Sequence, residues 1–377
     1  MTTQNDTIMV TRPLFPALKD YEKNLEDIWA SGWLSNNGSK HKELEQKIKE
    51  YIKAPNISLF NNGTIALLTA IQSLRLQGEV ITTPFSFPAT THVLAWNNIA
   101  PVFCDIHPER LTIDPDKIER LITAKTTAIL GVHVYGVPCH TEEIQDIADR
   151  HGLRVMYDAA HAFTTQYNGK PIADYGDISM FSFHPTKLFH TGEGGALVYN
   201  DNNLKQRIEF LKNFGIKNEE EVILPGINGK MNELQAAMGL EVLPLVAKEQ
   251  EARRKVRALY KEKLDGIKGI KIIEMPDDTT NSEQYFCIRI NEKEFGESRN
   301  AAYDRLKKGN IFSRKYFYPL ISQYPCYSAN PSASGENLPV ATKTASEVLC
   351  LPFFGALSTA DVEQICSIIV TVNCRFN

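Results

Sequence analysis

Short apolar runs alternate with amphipathic stretches along the chain from about residue 57. The runs have the length and composition of buried strands, whereas the stretches between them carry apolar residues at helical spacing. This alternation predicts an α/β fold, with a largely parallel sheet covered by helices on both faces. The predicted strands are Ile57–Phe60, Glu79–Thr82, Pro101–Asp105, Thr127–Val132, Leu153–Tyr157, Ile178–Phe183 and Gly195–Tyr199.

The predicted helices of this region begin at recognisable signals. One covers Thr64–Leu76 and another covers Thr141–His151. A third opens at Asp114-Pro115, because Asp is favoured as an N-cap and Pro at the first helical position. A long helical pattern from near Met231 to about Lys263 is typical of a connection between a large and a smaller domain.

The C-terminal part mixes strand-like and helix-like segments, which predicts a compact α+β domain. We therefore expect an N-terminal segment at 1–20, a large domain at 21–244 and a small domain at 245–377. The predicted elements of the small domain are the strands Ile270–Ile273, Tyr285–Ile290 and Ile311–Arg314 and the helices Arg299–Lys308 and Thr359–Val370.

The composition is that of an ordinary globular protein, and it argues against several functions. Of the 377 residues, 43% are hydrophobic and 23% are charged, and the formal net charge is −4. This charge disfavours an electrostatic nucleic-acid binder, and no apolar run reaches the ~20 residues that span a bilayer. Met1–Val10 lacks a secretory-signal pattern, and the seven cysteines, from Cys104 to Cys374, form no CxxC pair. We expect a cytoplasmic, reduced protein without a metal site.

The turn Asn61–Thr64 lies between a predicted strand and a predicted helix. Such a junction directs backbone N–H groups and the positive end of the helix dipole at one point, where a phosphate binds readily. Taken alone, the motif favours a plain turn with Thr64 as the helix cap over a phosphate site.

Asp158 follows the apolar strand Leu153–Tyr157, and ligands gather at the carboxyl ends of strands in open α/β sheets. A carboxylate there can hold a ring nitrogen protonated or bind a metal ion or a ribose, and it can equally cap a helix. The small residues Ala159 and Ala160 leave room for a bulky group. His161 fits either a ligand contact or a packed core histidine.

Lys187 follows another apolar strand, is flanked by aromatic residues and precedes the glycine-rich run Gly192–Gly195. A lysine becomes a nucleophile when burial or a neighbouring cation lowers its pKa, although most lysines are solvated surface groups. The glycine run fits a tight turn between two strands or a phosphate cradle, but it does not match a P-loop.

Phe85 and Phe87 follow a third strand end, where an aromatic ring can stack on a flat cofactor or fill the core. A phosphate site, a stacking ring, a carboxylate for a ring nitrogen and a nucleophilic lysine are together what a pyridoxal phosphate enzyme needs. The combination therefore indicates one chemistry, although each signal alone is weak.

These motifs make the chain similar to the sugar aminotransferases of the DegT/DnrJ/EryC1/StrS family, from about Val10 to the C-terminal helix. The resemblance implies a fold-type I, aspartate aminotransferase-like architecture. It consists of a large domain with a mainly parallel seven-stranded sheet and a smaller α+β C-terminal domain. It also implies pyridoxal 5′-phosphate as cofactor and a homodimer. The matching segments are Ser31–Leu34, Asn62–Thr64, Asp158–His161, Ser182–Lys187, Glu193–Gly195, Gly226–Asn228 and Leu234–Ala237.

The resemblance assigns roles residue by residue. Lys187 corresponds to the lysine that binds the cofactor covalently, and Asp158 to the partner of the pyridine nitrogen. His161 takes a place often held by Gln, beside the cofactor's 3-hydroxyl group, and Asn228 corresponds to an asparagine that reaches the phosphate from the neighbouring subunit. The remaining cofactor contacts implied are Gly63, Thr64, Ile65 and Ser182 at the phosphate and Phe87, with Phe85 not excluded, as the stacking ring.

Two departures from the family pattern concern the substrate pocket. Many relatives carry Arg at the position of Lys230, and the two residues are not interchangeable in bidentate contacts. Many also have a His-Tyr pair where this chain has Tyr316-Phe317-Tyr318. We expect Lys230, Tyr316, Tyr318 and His184 to contact the substrate.

The expected reaction transfers an amino group from L-glutamate to a nucleotide-linked keto-sugar. The resemblance favours dTDP-4-keto-6-deoxyglucose as acceptor, with dTDP-4-amino-4,6-dideoxyglucose as product for O-antigen or another lipopolysaccharide glycan. A C3 aminotransferase acting on a dTDP-3-keto-6-deoxyhexose is the alternative. Two other classes stay open, an NAD-dependent sugar dehydrogenase, which the missing G-x-G-x-x-G disfavours, and a non-catalytic binding protein, which Lys187 disfavours.

Overall fold

The computed structural model describes residues 7–371, so the first six residues of the predicted 1–20 segment, and Cys374, lie outside the described residues. The strands are β1 Ile8–Met9, β2 Asn56–Phe60, β3 Glu79–Thr82, β4 Ala100–Phe103, β5 Thr126–Val132, β6 Arg154–Asp158, β7 Gln166–Tyr167, β8 Lys170–Pro171, β9 Ile178–Ser182, β10 Gly195–Tyr199, β11 Ile270–Ile272, β12 Thr279–Thr280, β13 Phe286–Ile290, β14 Ile311–Phe312 and β15 Val348–Leu351. The helices are α1 Leu18–Ser31, α2 Ser39–Tyr51, α3 Gly63–Ser73, α4 Pro88–Trp96, α5 Thr141–His151, α6 Asn202–Leu211, α7 Glu233–Val242, α8 Val246–Leu264, α9 Glu292–Phe295, α10 Arg299–Lys308, α11 Pro339–Glu347 and α12 Thr359–Val370.

A seven-stranded sheet in the order β2-β10-β9-β6-β5-β3-β4 forms the centre of the fold. The strand pairs β3–β4, β3–β5, β5–β6 and β6–β9 are parallel, and only β10 runs antiparallel to its two neighbours. The predicted α/β class and the mainly parallel seven-stranded sheet are therefore confirmed.

The carboxyl ends of the parallel strands meet at one edge of this sheet. Asp158, the last residue of β6, lies opposite Val132 of β5 and Met180 of β9 in the strand register. Phe60 ends β2 opposite Gly195, the first residue of the antiparallel strand β10. Every loop with a predicted functional residue in the first 200 positions leaves the sheet at this edge, where ligands bind in open α/β sheets.

Two predicted helices differ from the structure. The segment that opens at Asp114-Pro115 forms two short 3₁₀ turns, Pro115–Lys117 and Glu119–Leu121, although Asp114 does accept a bond from the Asp116 amide. The long helix predicted near 231–263 is two helices, α7 and α8, joined by a 3₁₀ turn that contains Pro244. Proline lacks an N–H donor and its ring clashes with the preceding turn, which breaks a continuous α-helix.

Several helices were not predicted, although the sequence carries their boundary signals. The helix α1 ends at Gly32, which adopts a left-handed conformation with φ 65°, and α4 begins with Pro88 at its first position. Both signals are typical of helix ends, and they become informative only when the apolar face of the helix is also recognised.

The C-terminal part contains a second, three-stranded sheet in the order β11-β13-β15, on which α8, α10 and α11 pack, and α12 packs against α8 and α10. The N-terminal strand β1 pairs in parallel with β14 of this part, which attaches the start of the described chain to it. The boundaries at residues 20 and 244 stay predictions. Within residues 7–371, no helix combines the length and the apolar composition needed to cross a bilayer.

Asp105, which follows β4, connects the central sheet to α11. Its side chain is fully buried and accepts bonds from the amides of Val340 and Ala341 at 3.1 and 2.8 Å, and it pairs with Lys117 at 3.0 Å. The first turn of α11 lacks a cap from its own N-cap residue, Leu338. Asp105 therefore caps this helix from a distant part of the chain.

We predict that Asp105→Ala lowers the free energy of unfolding by about 2–4 kcal/mol, because it leaves the two helix amides without their buried acceptor, while Lys117 keeps its second partner Asp114 at 3.2 Å. Asp116→Ala is the matched control, since Asp116 is exposed on the neighbouring turn and its side-chain removal should change stability by less than about 0.5 kcal/mol. Urea denaturation of both variants measures the difference. Equal stability of the two variants would contradict the capping role.

Candidate active site

A cavity of about 610 Å³ lies at the carboxyl edge of the central sheet. Its wall is formed by the ends of β2, β5, β6 and β9, the loop before α4, and a loop of the C-terminal part that follows β14. The predicted site residues that line it are Gly63, Thr64, Ile65, Phe87, Asp158, His161, Ser182, His184, Lys187 and Tyr316.

The turn between β2 and α3 brings the beginning of a helix to the cavity wall. Gly63 and Thr64 belong to the first turn, whose amides have no intrahelical partners. The side chain of Asn62 caps the helix and accepts a hydrogen bond from the Ile65 amide at 2.9 Å. The Ile65 amide, which was predicted to bind the phosphate, therefore already has a hydrogen-bond partner. A side chain at Gly195 would lie 2.8 Å from the backbone of Gly63, which explains the glycine that begins β10.

Asp158 is buried at the floor of the cavity and accepts two hydrogen bonds. The Thr90 hydroxyl donates to Oδ2 at 2.8 Å, and the Ala160 amide donates to Oδ1 at 3.1 Å. Burial raises the pKa of the Asp158 carboxyl above its usual value, and the two hydrogen bonds and the charge of Lys187 oppose this rise. A cationic N–H partner in the cavity would stabilise the carboxylate further.

Lys187 lies in the same cavity, on the loop that follows β9. Burial lowers the pKa of its amine to about 8, and the negative charge of Asp158 opposes this effect. The Lys187 Nζ atom lies 6.0 Å from the centre of the Tyr285 ring. A lysine with this pKa has a substantial neutral fraction near pH 8, and the neutral amine is the nucleophilic form.

His161 is buried beside these two groups and is neutral. Burial and the charge of Lys187 lower its pKa well below the usual value. Its Nδ1 atom accepts the amide of Tyr135 at 3.1 Å, which places the ring proton on Nε2. The ring stacks parallel to Phe317 at 5.9 Å and meets the Tyr285 ring edge-on at 5.0 Å.

The two phenylalanines of the loop before α4 lie in different environments. Phe87 is 56% exposed and lines the cavity, whereas Phe85 is completely buried between Tyr135 and Phe317. Only Phe87 is therefore placed to contact a group in the cavity. Its stacking role stays a prediction.

The predicted substrate contacts are divided between the cavity and its surroundings. Tyr316 and His184 line the cavity, whereas Tyr318 is half exposed and covers the guanidinium group of Arg299. Lys230 and Asn228 do not line it, and the Lys230 amine donates to the Asn228 side chain at 2.8 Å. Their segment is nevertheless adjacent, because the Asn61 amide at the cavity wall donates to the Gly229 carbonyl at 2.9 Å.

Several residues that line the cavity or support its walls were not predicted from the sequence. Thr90 bonds Asp158 from the first turn of α4, and its hydroxyl lies 2.7 Å from that of Ser86. Tyr285 and Phe317 come from the C-terminal part and form the wall over His161 and Lys187. The clustering of Tyr316, Phe317 and Tyr318 was a usable signal, but nothing in the local pattern around Thr90 or Tyr285 indicates a site.

The fold and the cavity are those of a class of protein, the pyridoxal phosphate-dependent aminotransferases. The chain belongs to the DegT/DnrJ/EryC1/StrS aminotransferase family, whose sequence profile matches residues 18–370. It is therefore an aminotransferase, and the dehydrogenase and binding-protein alternatives lose their support.

The relatives match over nearly the full length. The chain is 47% identical to a dTDP-4-amino-4,6-dideoxy-D-glucose transaminase of Escherichia coli over 97% of this chain and 98% of that protein. It is 44% identical to the transaminase of the same name from Shigella dysenteriae, over 96% and 98%. A crystal structure of DesI in the presence of its TDP-sugar product superposes with a TM-score of 0.93 at 32% identity, covering 100% of this chain and 97% of that one.

Pyridoxal 5′-phosphate is the cofactor of this family, and the residues of the cavity fit it. The cavity has the size of a small-molecule site, and the buried Asp158 would gain a charged partner from a protonated ring nitrogen. The beginning of α3 fits a phosphate, since a side chain at Gly63 would lie 3.1 Å from Ser182 and fill that corner. Among residues 7–371, no group of His, Cys, Asp and Glu side chains is arranged to hold a metal ion.

The low pKa of Lys187 predicts how cofactor-free protein reacts with pyridoxal phosphate. Only the neutral amine would attack the aldehyde of the cofactor, and the aldehyde oxygen would leave as water. The rate should therefore rise with pH through about 8 and then level off. An unperturbed lysine would continue to gain reactivity up to about pH 10.4.

Borohydride trapping followed by peptide mass spectrometry measures this rate between pH 6 and 10, with Lys187→Ala as the control for attachment elsewhere. Asp158→Asn removes the charge that raises the lysine pKa, so its profile should shift to lower pH. A wild-type rate that still climbs steeply above pH 9 would contradict the burial effect.

Proposed function

We propose that this protein transfers the amino group of L-glutamate to C4 of dTDP-4-keto-6-deoxyglucose and forms dTDP-4-amino-4,6-dideoxyglucose. The observation that carries the proposal is the 47% identity, over nearly the whole of both chains, with a transaminase named for that product. The half-buried Lys187 and the buried Asp158, which line one cavity, support the catalytic part.

Lys187 and Asp158 are the proposed catalytic residues. Lys187 binds the cofactor covalently at rest, and its amine then acts as general base and acid at the substrate carbon, for which a pKa near 8 is well suited. Asp158 holds a proton on the pyridine nitrogen, and Thr90 and the Ala160 amide fix the orientation of its carboxylate. Pyridoxal phosphate supplies a conjugated ring that stabilises negative charge at the substrate carbon.

The other cofactor contacts follow from position and chemistry. Gly63, Thr64 and the Ser182 hydroxyl surround the proposed phosphate site, and Phe87 covers one wall of the cavity. The His161 Nε2–H group would be available to donate to the 3-oxygen of the cofactor. For the Ile65 amide to reach the phosphate, Asn62 must release it first.

The sugar nucleotide is proposed to enter past Tyr316 and His184. The His184 ring lies 2.8 Å from the Thr186 hydroxyl and 3.8 Å from the Glu193 carboxylate, so a polar rim is available for hydroxyl groups of the sugar. Lys230 and Tyr318 are assigned to the outer part of the substrate, because both lie beyond the lining of the cavity.

We also propose a homodimer with shared active sites. The hairpin at residues 213–228 exposes Phe214, Val222, Ile223 and other apolar side chains, and its last residue is the exposed Asn228. Exposed apolar surface of this kind marks a protein interface. A second copy of the chain that covers this hairpin would carry Asn228 and Lys230 to its own cavity.

The proposed setting is the cytoplasm, with the product used for O-antigen or another surface polysaccharide. Support for a reducing compartment comes from the seven scattered cysteines of the sequence, which form no CxxC pair. The proposed division is an N-terminal segment at 1–20, a large domain at 21–244 and a small domain at 245–377.

Product analysis tests the reaction. Purified protein with L-glutamate and dTDP-4-keto-6-deoxyglucose should form 2-oxoglutarate and an amino sugar whose nitrogen is bonded to C4 in the NMR spectrum. The Lys187→Ala variant should form neither product, because its cavity lacks the amine. A dTDP-3-keto-6-deoxyhexose is the matched competitor: preferential turnover to the 3-amino sugar would replace the C4 proposal, and no turnover of either acceptor would remove both.

Mixed dimers test the shared site. Lys187→Ala and Asn228→Ala chains should each have little activity alone, whereas random mixing should restore about a quarter of wild-type activity, since half the dimers then have one intact site. The control mixes Lys187→Ala with Asp158→Asn, two lesions that belong to the same chain's cavity and leave no intact site. Recovery in the control, or none in the test mixture, would refute the sharing.

A further inference from the structure

The segment Ser282–Tyr285, between β12 and β13, crosses from the C-terminal part to the cavity. Its Ser282 hydroxyl donates to the carbonyl of His161 at 2.9 Å. Its Tyr285 ring meets the ring of His161 edge-on and lies 6.0 Å from the Lys187 amine. One short segment therefore contacts the backbone or side chain of two proposed site residues.

Gln284 of this segment holds the main chain on both sides of Lys187. Its Nε2 atom donates to the Thr186 carbonyl at 2.9 Å, and its Oε1 atom accepts the Leu188 amide at 2.7 Å. The side chain is 2% exposed, so water cannot easily replace these bonds. Its orientation is unambiguous, because a carbonyl requires the NH₂ end of the amide and an N–H group requires the oxygen end.

The hydrogen bonds to Thr186 and Leu188 lie on the two sides of the Lys187 Cα atom, and they repeat the hydrogen-bond pattern of a neighbouring parallel strand. In a parallel ladder, one residue donates to the carbonyl before its partner and accepts the amide after it. The Gln284 carboxamide does the same where β9 has already ended. The peptide planes that flank Lys187 are thereby fixed, and with them the direction in which its side chain leaves the backbone.

The segment itself is anchored on α8. Arg257 pairs with the Glu283 carboxylate at 2.7 Å and donates to the Tyr285 carbonyl at 2.8 Å. Arg253 donates to the Glu283 carbonyl at 3.1 Å. Glu283 has a φ of 58°, a left-handed conformation that this anchoring maintains. The backbone next to Gln284 is thus fixed by the two arginines of α8, and its side chain is fixed by the backbone on both sides of Lys187.

We propose that Gln284 is a positioning residue that aims the Lys187 amine at the reactive carbon of the bound cofactor and substrate. This inference rests on the proposed function, because it assumes that Lys187 is the reacting group. A residue that only filled space would affect folding, whereas this one sets the rate of every step in which Lys187 takes part. A displacement of about 1 Å at a reacting group can cost a factor of ~100 in rate.

The test compares Gln284→Met with Gln250→Met. Methionine has a similar length but neither donates nor accepts strongly, so it removes both bonds to the backbone around Lys187 while keeping the volume. Gln250 is the matched control, because it donates to the Ser282 carbonyl at 3.2 Å and to Thr164 at 2.8 Å, and thus supports the same segment without touching the Lys187 loop.

Covalent attachment of pyridoxal phosphate to cofactor-free protein is followed over time by borohydride trapping at Lys187. The non-covalent affinity for pyridoxal phosphate is measured separately in Lys187→Ala backgrounds. Gln284→Met should attach the cofactor about 10-fold or more slowly and lose kcat by a similar factor, with affinity and KM little changed. Gln250→Met should resemble the wild type in all four quantities. Attachment by Gln284→Met at the wild-type rate would overturn the proposal.

Two further measurements keep the proposal testable if Gln284→Met does not fold. Gln284→Glu keeps the length and the acceptor for Leu188 but loses the donor to Thr186, so its attachment rate should also fall. In the wild-type protein, the Leu188 amide should exchange with deuterium as slowly as sheet amides, and fast exchange would refute the bond. If the wild-type protein itself shows no trappable link at Lys187, the proposed function fails rather than this inference.

Discussion

The site depends on the burial of two opposite charges, the Lys187 amine and the Asp158 carboxylate, at the same end of the central sheet. Burial disfavours the charged form of each, whereas the attraction between them favours it. For Lys187, a pKa of about 8 corresponds to roughly 3 kcal/mol in favour of the neutral amine relative to a solvated lysine. The protein thus maintains a reactive amine and a carboxylate that still requires a cationic partner.

The fold supplies this burial from two directions. The parallel strands bring Asp158 and the Lys187 loop to one edge, because β6 and β9 are parallel neighbours and β9 ends two residues beyond the level of Asp158. The C-terminal part then covers the edge with Tyr285 and Phe317. Without this cover the two charges would be solvated and their pKa values would return towards ordinary values. The two parts of the chain therefore act as one unit in the chemistry of the site.

Sequence patterns predicted the features that are local in the chain. Strand periodicity located the ends of β6 and β9 to within one residue, and Asp158 and Lys187 were found because they lie at or after these ends. The broken helix at Pro244 and the 3₁₀ turns after Asp114 show the limit of helix signals, since a cap and a period do not say how far a helix continues.

Residues that act across the fold could not be found in this way. Thr90 and Asp158 are 68 positions apart, and Gln284 is 96 positions from Leu188, so their hydrogen bonds exist only after the chain has folded. The local sequence offered no hint of this role, because Gln284 follows the polar residues Ser282 and Glu283. Its partner was not encoded in any local pattern.

The histidine at position 161, where many relatives are expected to carry glutamine, illustrates how the environment decides what a residue can do. A glutamine side chain offers one acceptor and one donor group, and a neutral histidine offers the same pair. Burial beside Lys187 lowers the His161 pKa and excludes the doubly protonated form, which has no acceptor. The Tyr135 amide then occupies Nδ1, so the remaining N–H group is left on Nε2. Histidine can therefore replace glutamine at position 161, because the surrounding site keeps the imidazole neutral and leaves it with one donor and one acceptor.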